Sequence, residues 1–164
     1  MTEIRPAAEA DYAFILRLNE ENVEVLAPMD RDRLDAFREM ASLLWVAWVD
    51  GERAAFLIGL TETADAYDSE NYRWFRQHYE RFLYIDRVVI DEPFRRLGLG
   101  RTLYAQVFRR AKEDGIPVVT AEIDTIPYNA ASLRFHKAMG FREVGEQFVR
   151  GGRVKVSLQA AEVS

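Results

Sequence analysis

The sequence predicts an α/β fold: a mixed, mostly antiparallel central sheet of about seven strands, flanked by about four to five helices. Three observations lead there. Apolar runs of strand length are broken by two turn signals, Asp50-Gly51 and Gly151-Gly152, each joining its neighbours as an antiparallel hairpin. A long amphipathic helical pattern stands between the apolar runs Phe82 to Ile90 and Val118 to Ile123, the arrangement of a βαβ unit. A chain of 164 residues, 49% hydrophobic and 30% charged, has enough apolar side chains for a core without disulfides, so residues 1–164 are expected to form a single domain.

Ile4-Arg5 reads as a short first strand, followed by a helix from Asp11 to about Asn22 with Phe14, Ile15 and Leu18 on one face. A loop around Pro28 leads to a second helix, capped by Asp30 or Asp32 and carrying Leu34, Phe37, Met40 and Leu44. Leu44 to Val49 and Ala54 to Leu60 are the hairpin strands. From Thr61 to Arg81 the chain turns polar and aromatic, and a short helix is expected over Ser69 to His78.

After the strand Phe82 to Ile90, a helix over Leu97 to Asp114 is closed by Gly115 and Pro117, and the strand Val118 to Ile123 follows. Ser132 to Met139 is helical and ends at Gly140. Phe141 to Val149 and Arg153 to Leu158 complete the sheet.

Composition removes several kinds of chemistry. There is no cysteine, and His78 and His136 are the only imidazoles, so neither thiolate catalysis nor a structural zinc site is expected, and no metal is. The net charge of −5 disfavours general affinity for nucleic acid, which rests on neutralising phosphates. No apolar run approaches the roughly 20 residues of a membrane helix. The first residues lack the basic-then-apolar order of a secretory signal, and the expected location is cytoplasmic.

Within this acidic chain, Arg95, Arg96 and Arg101 form a basic cluster around Arg95-Arg96-Leu97-Gly98-Leu99-Gly100-Arg101. The segment lies between a strand and a helix, where unpaired amides and the helix dipole both favour an anion. Glycine lets the backbone approach a phosphate closely. The segment lacks the Gly-Lys-Ser/Thr ending of a nucleotide-triphosphatase loop, and the third glycine and early position of a dinucleotide-binding turn. A tight turn with basic caps is the competing reading.

Arg95-x-x-Gly98-x-Gly100 resembles the R/Q-x-x-G-x-G/A signature of the GCN5-related N-acetyltransferase (GNAT) superfamily, and the hydrophobic strand Val88-Val89-Ile90 precedes it as in that family. Asn129-Ala130-Ala131-Ser132 through Phe135-His136 to Gly140-Phe141 resembles the family's second block. The element order is also the family's, so the resemblance covers essentially the whole chain. Tyr67-Asp68-Ser69 through Phe82 to Arg87 is similar to a bacterial subgroup of acetyltransferases without an assigned substrate.

The resemblance implies a GNAT fold in which the fourth and fifth strands run parallel and splay apart to admit the pantetheine arm of acetyl-CoA. It implies that the backbone of Val88, Val89 and Ile90 binds that arm. The loop Arg95, Arg96, Leu97, Gly98, Leu99, Gly100 and Arg101 would hold the pyrophosphate, and Asn129, Ser132 and His136 would contact the cofactor. It further implies direct attack of a primary amine on the thioester in a ternary complex, with acetyl-CoA as donor and no metal.

Amide formation needs a base for the amine, a donor for the oxyanion and a proton for the departing thiolate. A strand amide near Val88 or Val89 is the expected oxyanion donor. Strand periodicity puts Tyr84 and Asp86 on one face, where family bases are often found, and Asp86 is the first candidate. The competing reading pairs Asp86 with an arginine such as Arg87 or Arg81. Glu122 and Asp124, on one face of the next strand, stand in reserve as bases or substrate contacts.

Where the family usually has the acidic tyrosine of its F-Y pair, this chain has His136, which either protonates the thiolate or packs beside the cofactor. Tyr84, Tyr104 and Tyr128 are the substitutes. Tyr67, Trp74, Tyr84, Glu122 and Asp124 are the candidate acceptor contacts, the aromatic rings suiting a cationic or amphipathic amine. The acceptor is expected to be a small molecule. A CoA-binding module without turnover, and an acetyltransferase acting on protein N-termini or lysines, remain the alternatives. The last two strands are candidates for pairing in a homodimer.

Overall fold

The computed structural model describes residues 1–126 and 128–164. Its elements are β1 (Thr2–Pro6), α1 (Tyr12–Glu20), α2 (Arg31–Met40), β2 (Leu43–Val49), β3 (Glu52–Thr61), α3 (Glu70–His78), β4 (Leu83–Ile90), α4 (Leu99–Glu113), β5 (Val118–Ile126), α5 (Ala130–Ala138), β6 (Arg142–Val149) and β7 (Val154–Glu162). The seven strands form one mixed sheet in the order β1-β2-β3-β4-β5-β7-β6. Strand β4 runs parallel to β5, with Leu83 opposite Val119 and Tyr84 opposite Thr120. The β1–β2, β2–β3, β5–β7 and β6–β7 pairs are antiparallel.

Local chemistry sets the boundaries. Asp50 and Gly51 both have positive φ, 50° and 82°, the geometry of a tight hairpin turn whose twist matches its strands. The Asp30 carboxylate accepts the Arg33 amide at 2.8 Å and starts α2, and the Ser69 hydroxyl accepts the Tyr72 amide at 3.3 Å and starts α3. Helix α5 begins two residues earlier than its periodicity suggests because the Asn129 side chain caps it, accepting the Ser132 amide at 3.1 Å. Helix α4 begins two residues later than predicted, because Arg96 and Gly98 have φ of 69° and 76° and cannot belong to a right-handed helix. Strand β7 runs on to Glu162, beyond the predicted Leu158, because Gln159, Ala160 and Ala161 pair with Ala121, Thr120 and Val119.

The chain forms two compact units, Met1–Ala64 with Ile85–Ala105, and Asp65–Tyr84 with Gln106–Ser164. In the first, Val46 and Ala47 of β2 and Ala54 to Ile58 of β3 have no exposed surface, which explains why these strands read as continuous apolar runs rather than alternating ones. Ile15, Leu18, Leu34 and Phe37 of α1 and α2 are equally buried. Arg53 donates to Asp11 at 2.7 Å, tying β3 to the turn ahead of α1.

In the second unit the core is aromatic. Tyr72 stands 5.7 Å from both Phe82 and Tyr84, and Phe75 stands 5.7 Å from Tyr84, all in tilted or edge-on contact. Trp74 of α3 lies over β6, where a β-carbon at Gly145 would come within 2.4 Å of its ring. The Gln147 amide donates to Asn71 at 2.8 Å beside it, so α3 is fastened to β6 by one close approach and one hydrogen bond.

Candidate functional site

The loop after β4 is built by its own turn chemistry. The Asp91 side chain accepts the Glu92 amide at 3.0 Å, and Pro93 sits inside the short 3-10 turn Glu92–Phe94. The Arg95 guanidinium folds back to donate to the Ile90 carbonyl at 3.1 Å and to Asn22 at 3.5 Å. The first bond of α4 runs from the Thr102 amide to the Gly98 carbonyl at 3.1 Å, so the amides of the residues just before Thr102 precede the helical ladder. A β-carbon at Gly98 would meet nothing within 4 Å, which leaves the face of the loop open. Arg96, Leu97, Gly98 and Arg101 are exposed, whereas Leu99 is buried and anchors the helix. Open amides, helix dipole and exposed guanidinium groups together fit an anion the size of a phosphate.

Beside this loop a cavity of about 270 Å³ is lined by Asn22, Val25, Leu26, Val88, Val89, Ile90 and Arg95. Its walls are apolar except at Asn22 and Arg95. Thus Val88, Val89, Ile90 and Arg95, four of the expected cofactor residues, share one hollow, and the α1–α2 loop forms its other wall. The contribution of Asn22, Val25 and Leu26 is not visible in the sequence, because it depends on a loop folding back over a strand more than sixty positions away.

Asp86 is held in an ion pair. The Arg87 Nε donates to its carboxylate at 2.7 Å, and both side chains are only 5% exposed. Arg87 also donates to the Asn19 side chain at 2.9 Å and to the Ala27 carbonyl at 3.2 Å, and its guanidinium lies 5.3 Å from the Phe37 ring. The arginine pairing, one of the two readings of Asp86, is present, with Arg87 as the partner.

In the second unit, the Tyr84 hydroxyl donates to the Glu122 carboxylate, 2.7 and 2.8 Å from its two oxygens. Tyr84 is fully buried and Glu122 half-buried. Thr120, Glu122 and Asp124 alternate along β5 and share a face. Burial pushes the Asp124 carboxyl up from its ordinary range, and the charge of Arg150 partly offsets this.

His136 is 8% exposed on α5, with Phe135 and Phe141 edge-on to its ring. Its Nδ1 lies 2.8 Å from the Ser132 carbonyl and 3.3 Å from the Ser132 hydroxyl. A carbonyl only accepts, so Nδ1 carries a proton in this hydrogen bond. Burial lowers the pKa of the ring, opposed by the Ser132 hydrogen bond.

The remaining candidates differ in their surroundings. Tyr67 is buried with its ring 5.3 Å from Tyr72, and Trp74 stacks on His78 at 3.7 Å. Asn129 serves as the α5 cap. Tyr104 is buried, whereas Tyr128 is 73% exposed. Among the described residues no group of three or more histidine or carboxylate side chains is placed to hold a metal ion, and no helix is long and apolar enough to cross a membrane.

Known proteins share this architecture. Ribosomal-protein-S18-alanine N-acetyltransferase from Escherichia coli superposes with a TM-score of 0.75 at 18% identity, covering 100% of this chain and 95% of its own. Ard1 from Thermoplasma volcanium gives 0.75 at 20% identity, with 99% and 98% covered. YncA from Salmonella typhimurium, solved with its cofactor acetyl-CoA, gives 0.72 at 22% identity, with 99% and 94% covered. Such identities establish likeness of fold. No curated protein matches the sequence. Residues 10–141 match the profile of the Acetyltransferase (GNAT) family, a span that takes in β4, the Arg95–Arg101 loop and α4 together with the Asn129–Phe141 segment. The chain therefore belongs to the GNAT acetyltransferase family.

Proposed function

We propose that the protein is an N-acetyltransferase that moves the acetyl group of acetyl-CoA to a primary amine of a small molecule, by direct attack in a ternary complex, with residues 1–164 acting as one domain. The observation that carries this reading is the loop Arg95 to Arg101, open at Gly98 and exposed at Arg96 and Arg101, at the head of α4. Its amides and arginines suit the pyrophosphate of the donor, and the adjoining apolar cavity along Val88, Val89 and Ile90 suits the pantetheine arm. Membership of the family and the acetyl-CoA held by YncA support the same donor. Asn129 and Ser132 are assigned to the cofactor through their place in the second family block.

Glu122 is assigned as the base, with Tyr84 positioning it. The Tyr84 hydrogen bonds support this, since they fix the carboxylate without neutralising it. Asp86 is assigned a positioning role, because Arg87 already occupies its carboxylate. Glu122 takes one proton of the attacking ammonium, the freed amine forms the C–N bond, a strand amide near Val88 or Val89 donates to the oxyanion, the C–S bond then breaks, and the adduct nitrogen releases its second extra proton to solvent as the amide forms. A thiolate is a good leaving group, departs without a strong acid and takes its proton from solvent. The neutral Nδ1–H form of His136 supports a contact to the donor rather than proton donation. Asp124, with Glu122 on one strand face, supports a cationic acceptor, and Trp74 and Tyr67 are assigned as acceptor contacts.

Calorimetry tests the loop assignment. CoA is expected to bind the wild type with one site and to lose at least tenfold affinity in Gly98→Glu, which fills the open face and adds negative charge. Equal affinity for the two proteins removes the loop from the account.

A further inference from the structure

We propose that Arg87 is a positioning residue for the donor arm, acting through the α1–α2 loop; this rests on the reading of the Val88–Ile90 cavity as the arm's site. A guanidinium that is only 5% exposed is costly, and an apolar side chain of similar volume would pack there at least as well. Its donors explain its presence. They join three separated stretches of chain: Asp86 on β4 at 2.7 Å, Asn19 on α1 at 2.9 Å and the Ala27 carbonyl in the loop at 3.2 Å.

Asn19 completes the clamp. It is fully buried, accepts from Arg87 through Oδ1 and donates through Nδ2 to the same Ala27 carbonyl at 3.1 Å. Ala27 thus takes two hydrogen bonds from side chains anchored in the core. Immediately before it the loop is a run of tight turns in which Val25 and Leu26 both donate to the Asn22 carbonyl at 3.1 Å, and Asn22, Val25 and Leu26 are the cavity wall opposite Val88, Val89 and Ile90. Arg87 is next in sequence to the first of those strand residues. One side chain therefore references the loop wall to the strand wall and fixes the width of the cavity between them.

Planarity makes the role specific to arginine. Lysine keeps the charge but has no forked, planar donor set with which to span Asp86, Asn19 and Ala27 together. Asn19→Asp is the complementary change: it preserves an acceptor for Arg87 and removes the Nδ2 donor that Ala27 receives.

The test compares wild type, Arg87→Lys and Asn19→Asp in binding CoA and in binding adenosine 3′-phosphate 5′-diphosphate, which is CoA without its arm, together with hydrogen exchange at Val25 and Leu26. The expected result is at least tenfold weaker CoA binding in both variants, affinity for the armless nucleotide within twofold of wild type, and at least tenfold faster exchange at those two amides. Equal losses for both ligands, or unchanged CoA affinity in a folded variant, overturns the proposal. A wild type that binds neither ligand contradicts the donor assignment instead, and exchange then decides the clamp alone: unchanged protection at Val25 and Leu26 overturns it, and faster exchange confined to the loop upholds it.

Discussion

The hydroxyl of Tyr84 donates to both oxygens of the Glu122 carboxylate, at 2.7 and 2.8 Å, from a side chain with no exposed surface. A buried phenol aimed at a half-buried carboxylate fixes where that carboxylate points, and this relationship is the ground on which Glu122 is proposed as the base. Glu122→Gln is expected to lower kcat by about 100-fold or more with the KM for acetyl-CoA largely kept, because it removes proton acceptance and little else. Tyr84→Phe is expected to lower kcat by about tenfold by releasing the carboxylate. Steady-state kinetics check both, and a Glu122→Gln enzyme with wild-type kcat returns the base to another residue.

Asp86→Asn is expected to act chiefly on stability. Replacing the charged partner of Arg87 in a pair whose side chains are both 5% exposed leaves a buried guanidinium undercompensated, a loss of about 3 kcal/mol. Chemical denaturation measures it. Loss of the acidic limb of the pH–rate profile in a stable Asp86→Asn protein would instead mark Asp86 as the base.

His136 gives stability a defined pH dependence. Its pKa is lowered from the ordinary 6.5 by burial, so below 6.5 the unfolded ring takes up a proton while the folded one resists. The unfolded state then binds more protons, and stability falls as pH drops from 6.5 towards the folded value; above 6.5 the two states do not differ at this group. The melting temperature of wild type is expected to fall more steeply between pH 6.5 and 5 than that of His136→Gln. Parallel curves would mean that the ring titrates normally.

Gly145 and Trp74 should be energetically coupled. Gly145→Ala places a β-carbon 2.4 Å from Trp74 Cζ2 and 2.8 Å from Cη2, and the overpacking is expected to cost about 1–3 kcal/mol. Trp74→Leu opens that space, so the same alanine should cost much less in its background. A double-mutant cycle on unfolding free energies checks this, and simple additivity would show that the ring gives way on its own.

What the sequence disclosed follows from how far each interaction reaches. The Asp50-Gly51 turn, the Asp30 cap and the helix end at Gly115 rest on residues within a few positions of one another, and each is found where its chemistry predicts it. The boundaries of α4 and α5 shifted because positive φ at Arg96 and a cap at Asn129 are decided by backbone geometry that periodicity does not register. The pairing of Asp86 with Arg87 was legible as one of two readings, since the residues are neighbours. The reach of Arg87 to Asn19 and Ala27, and of Trp74 to Gly145, was not: these contacts join segments about sixty to seventy positions apart and appear only when α1 meets β4 and α3 meets β6. Likewise, Gly151-Gly152 signals that β6 and β7 pair, but not that β7 is the strand placed against β5.

The measurement that bears most directly on the account is thiol release from acetyl-CoA across a panel of primary amines, with mass analysis of the products. The expected result is CoA release that depends on the amine, stoichiometric acetylation of at least one small cationic amine, and loss of that turnover in Glu122→Gln. Tight CoA binding with no release above background for any small amine would contradict it.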